Sequence, residues 1–261
     1  MSAPAIMTPP FDDMTARQRR ILSWIEEQGY VTIETLAGHL GVSMQTVRRE
    51  IIRLDASGHL QRFHGGAGLP EGRVRLGYHG KSALARDAKN RIAAAVAARI
   101  GEGSSVFLDV GTTVETVAQA LAGRKGLQIV TNSLNSARMF QENGTCSTFV
   151  LGGSLRGADG SLVGELTRAA LQQFKVDVAV IGCSAIEADG SVLDYDIDKI
   201  AVKRLVAATA RRSFLVADST KFNRHAVARI GSLGDFATLV TDAPLPADVA
   251  ANMGACQAII V

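Results

Sequence analysis

The chain has 261 residues, of which 47% are hydrophobic and 20% are charged, and its formal net charge is +3. This composition is that of a globular protein with a sizeable core, organised as one large domain or as a small domain joined to a larger one. It excludes a membrane-spanning protein, because no apolar run approaches the roughly 20 residues that cross a bilayer.

Residues 1–14 lack the basic and apolar regions of a secretory signal, so we expect a loose tail there. The three cysteines, Cys146, Cys183 and Cys256, form no C-x-x-C pair and lie near no histidine at metal-ligand spacing. We therefore expect a cytoplasmic protein with free thiols, without a metal site or a cofactor.

Three short helices are predicted before residue 57. Their buried positions recur at helical spacing: Ile21, Leu22 and Ile25; Leu36, Ala37 and Leu40; Val47, Ile51 and Leu54. Gly29 and Gly41 end the first two helices, and Ser43 is the predicted N-cap of the third.

The third helix exposes polar side chains in its first two turns: Gln45, Thr46, Arg48 and Arg49. Two helices joined by a tight turn, here within residues 31–50, form a helix-turn-helix, whose second helix enters the major groove of DNA. Arginine pairs with guanine and glutamine with adenine through two hydrogen bonds each. Charge alone argues weakly for DNA, because residues 15–66 hold seven arginines against five acidic residues.

The stretch "SGHLQRFHGG" after the third helix predicts a turn, a short strand and a second turn, as in a wing. Arg62 and His64 are then placed to contact phosphates. The predicted DNA contacts are Ser43, Gln45, Thr46, Arg48, Arg49, Arg62 and His64. The alternative is a small helical bundle that docks on a partner, with its arginines merely solvated.

Residues 30–67 resemble the winged helix-turn-helix of the DeoR family of bacterial transcription regulators. The resemblance rests on Val42, Ser43, Thr46, Val47, Arg48, Arg49, Gly58, Leu60, His64, Gly65, Gly66 and Ala67. Glu50 stands where the family usually has aspartate, which keeps the charge. The resemblance implies a DNA-binding domain over residues 14–69 whose partner is double-stranded operator DNA.

Residues 70–83 are rich in glycine and basic residues and predict a linker. From residue 84 onward, helical segments alternate with short apolar runs: SVFL, LQIV, STFVL, VDVAVIG, SFLVA and TLVT. This alternation predicts an α/β domain over residues 84–246, with a parallel sheet covered by helices on both faces. Residues 247–261 are its predicted C-terminal strand and tail.

Polar residues follow the predicted strands, at the sheet edge where open α/β sheets bind ligands. The best example is Asp109, after which Gly111 allows a tight turn and Thr112 and Thr113 open a helix. Free amides, helix polarity and two hydroxyls would suit an anion such as phosphate there. A strand-to-helix turn with nothing bound would use the same residues.

Other strand ends add candidates for the same ligand: Thr131, Asn132, Gly152, Gly153 and Lys221. The two glycines would allow close backbone approach, and Lys221 is either a ligand contact or a solvated lysine. The acidic loop 193–199 either binds sugar hydroxyls or begins a helix. Cys183 has no base near it in sequence and is predicted to be a buried thiol.

This second region resembles the DeoR-family sensor domain in "LDVGTT", "VTNSL", "LGG", "DVAVIG" and "ADSTKF". The resemblance implies a ribose-5-phosphate isomerase-like fold and a phosphorylated sugar or polyol as effector, with its phosphate at the "GTT" turn. Glycerol-3-phosphate is the first candidate, although Lys199 stands where a second acidic residue is expected. It further implies a repressor of a sugar or polyol operon, as a homodimer or homotetramer.

The alternative function is a phosphosugar isomerase with an appended DNA-binding module. Asp109 together with Asp194 or Asp196 would supply its general base. The N-terminal module argues against an isomerase, because such an enzyme has no use for it. A nucleotide-binding protein is disfavoured, since neither phosphate-binding glycine motif is present.

Overall fold

The computed structural model describes residues 14–28, 30–57, 59–63, 66–68, 85–144, 146–157 and 159–261. Two compact units make up the chain, residues 1–80 and residues 81–261. The predicted linker over residues 70–83 lies outside the described residues.

The amino-terminal unit contains three helices and three short strands. In chain order these are α1 (Ala16–Gln28), β1 (Tyr30–Thr32), α2 (Ile33–Leu40), α3 (Met44–Ala56), β2 (Gln61–Phe63) and β3 (Gly66–Gly68). The three predicted helices are confirmed, and their predicted apolar stripes form one core. Gly41 ends α2 at φ +66°, a left-handed conformation that glycine adopts without strain.

The small sheet of this unit is larger than the sequence predicts. The strands form an antiparallel sheet in the order β1-β3-β2. Only the strand corresponding to β2 is expected from the sequence, and Gly66 is assigned to a turn. That assignment is wrong because Gly66–Gly68 forms a strand that pairs with both β1 and β2, and Ala67 in it is fully buried in the core.

The carboxyl-terminal unit is built on a seven-stranded parallel sheet. Its strands are β4 (Ser105–Leu108), β5 (Gln128–Thr131), β6 (Ser147–Val150), β9 (Val178–Gly182), β12 (Arg212–Val216), β14 (Thr238–Thr241) and β15 (Gln257–Ile260). The six predicted strands and the strand expected in the C-terminal tail are therefore confirmed.

Helices cover both faces of this sheet. They are α4 (Arg86–Ala97), α5 (Thr112–Leu121), α6 (Leu134–Asn143), α7 (Glu165–Leu171), α8 (Ile197–Thr209) and α9 (Ala247–Ala251). The first three pack into one apolar cluster and the last three into another. Strand β4 sends Val106 and Leu108 into the first cluster and Phe107 into the second, as the side-chain alternation of a strand requires. Among the described residues, no helix is long and apolar enough to cross a membrane.

The order of the strands marks one place in the sheet. The order is β15-β14-β12-β9-β4-β5-β6, so the chain runs from β4 to one edge, returns, and runs from β9 to the other. Strands β4 and β9 are neighbours whose connections leave in opposite directions. Open α/β sheets bind ligands outside the carboxyl ends of two such strands. We call this place the reversal point.

Two excursions from the main sheet are not predicted by the sequence. A hairpin joins β7 (Ser154–Arg156) to β8 (Ser161–Val163), and a three-stranded antiparallel sheet contains β10 (Ala185–Ile186), β11 (Ser191–Asp194) and β13 (Ala228–Ser232). Both leave from carboxyl ends of the main strands, so they surround the edge that contains the reversal point.

Candidate nucleic-acid interface and effector site

Helix α3 presents a polar surface opposite its buried stripe. Gln45, Arg48 and Arg49 are exposed, whereas Val47 and Ile51 are buried. The helix begins where the sequence predicts, because the Ser43 hydroxyl accepts a hydrogen bond of 3.2 Å from the backbone amide of Thr46. This geometry is the one that a helix needs to enter the major groove.

Two residues of the predicted set belong to the cap of α3. The hydroxyls of Ser43 and Thr46 lie 3.0 Å apart and share a hydrogen bond. Thr46 is half-buried, in contrast to its neighbour Gln45. The geometry of these two hydroxyls indicates that they fix the first turn of α3. Contact of either hydroxyl with DNA stays a prediction.

Glu50 has a structural role that the sequence pattern did not reveal. Its carboxylate is nearly buried, accepts a 2.9 Å hydrogen bond from the Gln18 side chain and lies 3.7 Å from the Arg17 guanidinium. Gln18 in turn exchanges hydrogen bonds with Thr15 at the start of α1. These contacts hold α3 against α1. In the sequence, the acidic Glu50 on the inward face of α3 was the signal for them.

The wing supplies one exposed arginine. Arg62 lies on β2 with its side chain exposed, and its backbone amide donates a 3.2 Å hydrogen bond to Asp55. His64, the second predicted phosphate contact, lies outside the described residues. Phosphate binding by Arg62 stays a prediction that its exposure permits.

In the carboxyl-terminal unit, the predicted anion-binding turn lies at the reversal point. Strand β4 ends before Asp109, Gly111 takes a φ of +122°, and α5 begins at Thr112. Within the described residues, no side chain caps the amino end of this helix. Its first amides and the hydroxyls of Thr112 and Thr113 are therefore the groups that an anion would meet.

Asp109 is held by a lysine that the sequence pattern did not single out. Lys203 of α8 is 2% exposed and Asp109 is 0% exposed, and the two form an ion pair. Lys203 also donates a 2.9 Å hydrogen bond to the carbonyl of Gly182 and lies 3.4 Å from Asp194. The backbone amide of Gly182 donates to Asp109 at 3.1 Å. The ends of β4 and β9 are thus joined by a buried charged network.

The charges of this network depend on one another. Burial raises the pKa of the Asp109 carboxyl, and the Lys203 ammonium partly reverses that shift. Burial lowers the pKa of Lys203, but Asp109 and Asp194 together raise it by more, so Lys203 stays charged. Neither side chain of the pair is exposed. We therefore assign Asp109 a positioning role, and its direct contact with an effector stays a prediction.

Two further lysines, Lys89 of α4 and Lys221 after β12, interact electrostatically. Lys89 of α4 is 4% exposed, and its charged neighbours are Asp218, Lys221 and Glu115. Burial lowers the pKa of Lys89, Asp218 opposes this shift, and Lys221 lowers the pKa further. Lys221 follows β12, as predicted. These two ammonium groups would attract an anion, and Asp218 and Glu115, which interact with the same lysine, would oppose it.

The polar residues after β5 are tied into the fold. The Thr131 hydroxyl donates to the carbonyl of Leu108 at 2.7 Å and accepts from the amide of Ser133 at 3.0 Å. The Asn132 side chain donates to the carbonyl of Leu162 in the β7–β8 hairpin at 3.1 Å. Both side chains are fully buried. Thr131 joins β5 to β4, Asn132 holds the hairpin against β5, and effector contact by either stays a prediction.

The paired glycines after β6 differ from each other. At Gly153, φ is +148° and an added Cβ would lie 2.1 Å from the Thr167 hydroxyl, whereas an added Cβ at Gly152 would meet nothing within 4 Å. Position 153 therefore requires glycine because the Thr167 side chain and the Val163 backbone lie close to it. Close approach of a ligand to Gly152 stays a prediction.

The acidic loop 193–199 begins a helix, one of its two expected roles. Asp196 caps α8 by accepting hydrogen bonds from the amides of Asp198 and Lys199 at 3.0 and 3.3 Å. Asp196 also pairs with Arg156 of the β7–β8 hairpin at 3.1 Å. The hairpin and α8 are therefore connected across the loop by ionic contacts.

Cys183, which directly follows β9, is half-buried, not fully buried as predicted. Burial raises its pKa to about 12, so the thiol is protonated near neutral pH. A protonated thiol is a poor nucleophile. The residue packs at the margin of the apolar cluster formed by α7, α8 and α9.

Comparison with known protein families identifies the family to which the chain belongs. Residues 17–73 match the DeoR-like helix-turn-helix domain, and residues 84–243 match the DeoR C terminal sensor domain. The chain belongs to the DeoR family.

Its similar relatives in that family are repressors. The glycerol-3-phosphate regulon repressor of Escherichia coli (strain K12) is 39% identical over 90% of this chain and 93% of its own length. The repressor of the same name from Haemophilus influenzae is 42% identical over 86% of this chain and 88% of its own length. Among solved structures, ribose-5-phosphate isomerase A from Methanocaldococcus jannaschii is 14% identical with a TM-score of 0.40, over 52% of this chain and 54% of that one.

The chain is thus a DNA-binding transcriptional repressor with an amino-terminal helix-turn-helix domain and a carboxyl-terminal sensor domain, and α3 stays the predicted DNA-recognition helix. This assignment argues against the alternative that the amino-terminal unit is a small helical bundle that docks on a partner.

We expect Arg49→Ala to weaken operator binding by about 1–3 kcal/mol and to relax specificity at one base pair. Arg49 is exposed on the outward face of α3, where a guanidinium reaches a guanine edge. Arg53→Ala, one turn farther along the same exposed side of α3, is the matched control and should weaken all sequences alike. Titration against operators selected from random duplexes measures both effects. Uniform weakening by Arg49→Ala would mean that Arg49 contacts phosphate only.

Proposed function

We propose that this repressor binds glycerol-3-phosphate at the reversal point and that this binding weakens its affinity for operator DNA. Two observations support the proposal: no side chain caps the amino end of α5, and Lys89 interacts electrostatically with Lys221 and with Glu115 in the first turn of that helix. A phosphate monoester needs such a set of amides and ammonium groups. The names of the similar relatives favour a polyol phosphate as the ligand.

We expect glycerol-3-phosphate to weaken operator binding by a factor that corresponds to about 1–3 kcal/mol, the usual size of allosteric coupling. Coupling is reciprocal, so operator DNA should weaken glycerol-3-phosphate binding by the same factor. Glycerol should have no effect, because the proposed contacts are to the anion. Calorimetry with and without operator measures both halves of this cycle.

Two variants locate the site. Thr113→Val removes one hydroxyl at nearly constant volume, and Lys221→Ala removes one charge. Both should raise the effector concentration needed for operator release while leaving DNA affinity without effector unchanged. Lys125→Ala, an exposed lysine before β5, is the matched control for loss of charge and should change nothing. An equal response to glycerol, or loss of DNA binding by the two variants without effector, contradicts the mechanism.

We further propose that the chain has no isomerase activity. The carboxylates considered as general bases are engaged: Asp109 by Lys203, Asp194 by the Ser184 hydroxyl at 2.7 Å, and Asp196 by the amino end of α8. A general base has to reach a substrate proton. We expect no turnover of ribose-5-phosphate or triose phosphates. Turnover of roughly 1–1000 per second that Asp109→Asn abolishes would support the enzyme instead.

The proposed functional assembly is a symmetric homodimer or homotetramer. Helix-turn-helix proteins bind two half-sites roughly 34 Å apart, and a palindromic operator reflects the two-fold symmetry of the protein. Sedimentation with and without a two-half-site duplex tests this. A single monomer bound per operator would contradict it.

A further inference from the structure

Helix α3 also exposes apolar side chains. Among the residues of the amino-terminal unit whose side chains the structure describes, Met44 and Ile52 are the large apolar residues that are exposed, at 50% and 49%. Both lie on α3, one at its first position and the other eight residues later. The large apolar residues that form the core of this unit include Ile21, Leu36 and Ile51.

Met44 is close to the residues that are predicted to contact bases. Side chains four residues apart on a helix are neighbours, so Met44 lies next to Arg48 and, through the chain, beside Gln45. The preceding residue is the N-cap Ser43, which fixes the first turn of the helix. The first residues of the second helix of a helix-turn-helix are those that reach base edges.

The major groove offers one apolar group to such a side chain. Thymine alone among the four bases carries a methyl group at its major-groove edge, and apolar side chains recognise thymine by contact with it. A flexible thioether side chain adapts readily to such a contact. Polar and charged residues account for every other exposed position in the first two turns of α3.

From this placement we infer that Met44 contacts the 5-methyl group of a thymine in each operator half-site and thereby specifies that base pair. Arg49 and Gln45 recognise bases by hydrogen bonds, whereas Met44 recognises one by excluding water from a methyl group. The specificity of the helix therefore includes an apolar component besides its polar one.

The test uses the full-length protein and an operator selected from random duplexes. Each thymine is replaced in turn by deoxyuridine, which removes only the methyl group, at the symmetric positions of both half-sites. Binding of the unmodified protein is expected to fall about three- to fivefold per half-site at one position, as burial of one methyl group predicts. All titrations are made at one salt concentration.

Met44→Ala is expected to lose the same three- to fivefold on the thymine operator and to lose nothing further with deoxyuridine at that position. Ile52→Ala is the matched control, because Ile52 is equally exposed but lies two turns farther from the amino end of α3. It should retain the full sensitivity to deoxyuridine. Melting temperatures of the variants, which change exposed residues, should match that of the unmodified protein.

The inference is overturned if Met44→Ala binds the thymine operator as tightly as the unmodified protein. It is also overturned if Met44→Ala keeps the full sensitivity to deoxyuridine at every thymine, since the methyl groups would then act through DNA shape alone.

Discussion

Lys203→Met is expected to lower the free energy of unfolding of the sensor domain by about 3–5 kcal/mol. Methionine fills a similar volume but leaves the carboxylate of Asp109 buried without its cation. Asp109 is 0% exposed, so water cannot replace the lost partner. Urea unfolding followed by circular dichroism measures the change.

The double variant Asp109→Asn with Lys203→Met should recover much of this loss, because no buried charge then remains. Lys199→Met, one turn earlier on α8, is the matched control. Its ammonium pairs with Asp159 at a partly exposed position, where an ion pair contributes about 1 kcal/mol or less. Trp24 is the only tryptophan in the chain and lies in the amino-terminal unit, so its fluorescence transition should stay unchanged.

The loss should also depend on pH. Burial raises the pKa of Asp109 in the folded state, and removal of Lys203 removes the ammonium that opposes this rise. The folded variant then binds a proton that the unfolded chain releases, so its stability falls as pH rises above the unfolded-state pKa. The difference from the unmodified protein should therefore shrink as pH is lowered from neutrality. A small loss at every pH would show that Lys203 contributes little.

Gly153→Ala is expected to destabilise the sensor domain by at least about 2 kcal/mol, because a strained backbone and an overpacked contact each cost about 1–3 kcal/mol. An added Cβ would lie 2.1 Å from the Thr167 hydroxyl and 2.6 Å from the carbonyl of Val163, at a φ of +148°. The carbonyl belongs to the backbone and cannot rotate away.

Gly152→Ala tests the same chemical change at the adjacent position, where nothing lies within 4 Å of the added Cβ. It should be close to neutral in the same urea titration. Thr167→Ala combined with Gly153→Ala should recover only part of the stability, since the Val163 carbonyl remains. Equal stability of the two glycine variants would contradict the packing account.

Elements with strong periodicity or defined caps were predictable from the sequence. Helix α3 is predicted from Ser43 onward because its N-cap and its stripe of Val47, Ile51 and Leu54 agree with each other. The parallel strands are predicted because continuous apolar runs that alternate with helices are typical of a sheet buried on both faces. Their sheet order, and with it the reversal point, depends on contacts between distant segments that no local pattern records.

The missed elements have weak local signals. Strands β1, β3 and β10 are two or three residues long, too short for alternation to be visible. The Gly66–Gly68 strand contains none of the β-branched or aromatic residues that favour strands. Lys203 was missed for another reason: within the helix "KIAVKRLVAAT" it looks like one more solvated lysine, and only the fold places a buried carboxylate opposite it.

Helix α3 is divided along its length into a buried inward side and an exposed outward side. This division affects how related repressors diverge. The inward side, with Val47, Glu50 and Ile51, maintains the fold, and the outward side is exposed. Duplicated copies of such a gene are therefore free to acquire new operators by single substitutions on the outward side, without loss of stability. Asp109 and Lys203 of the sensor domain lack this freedom, because each is buried against the other and a change at one requires a change at the other.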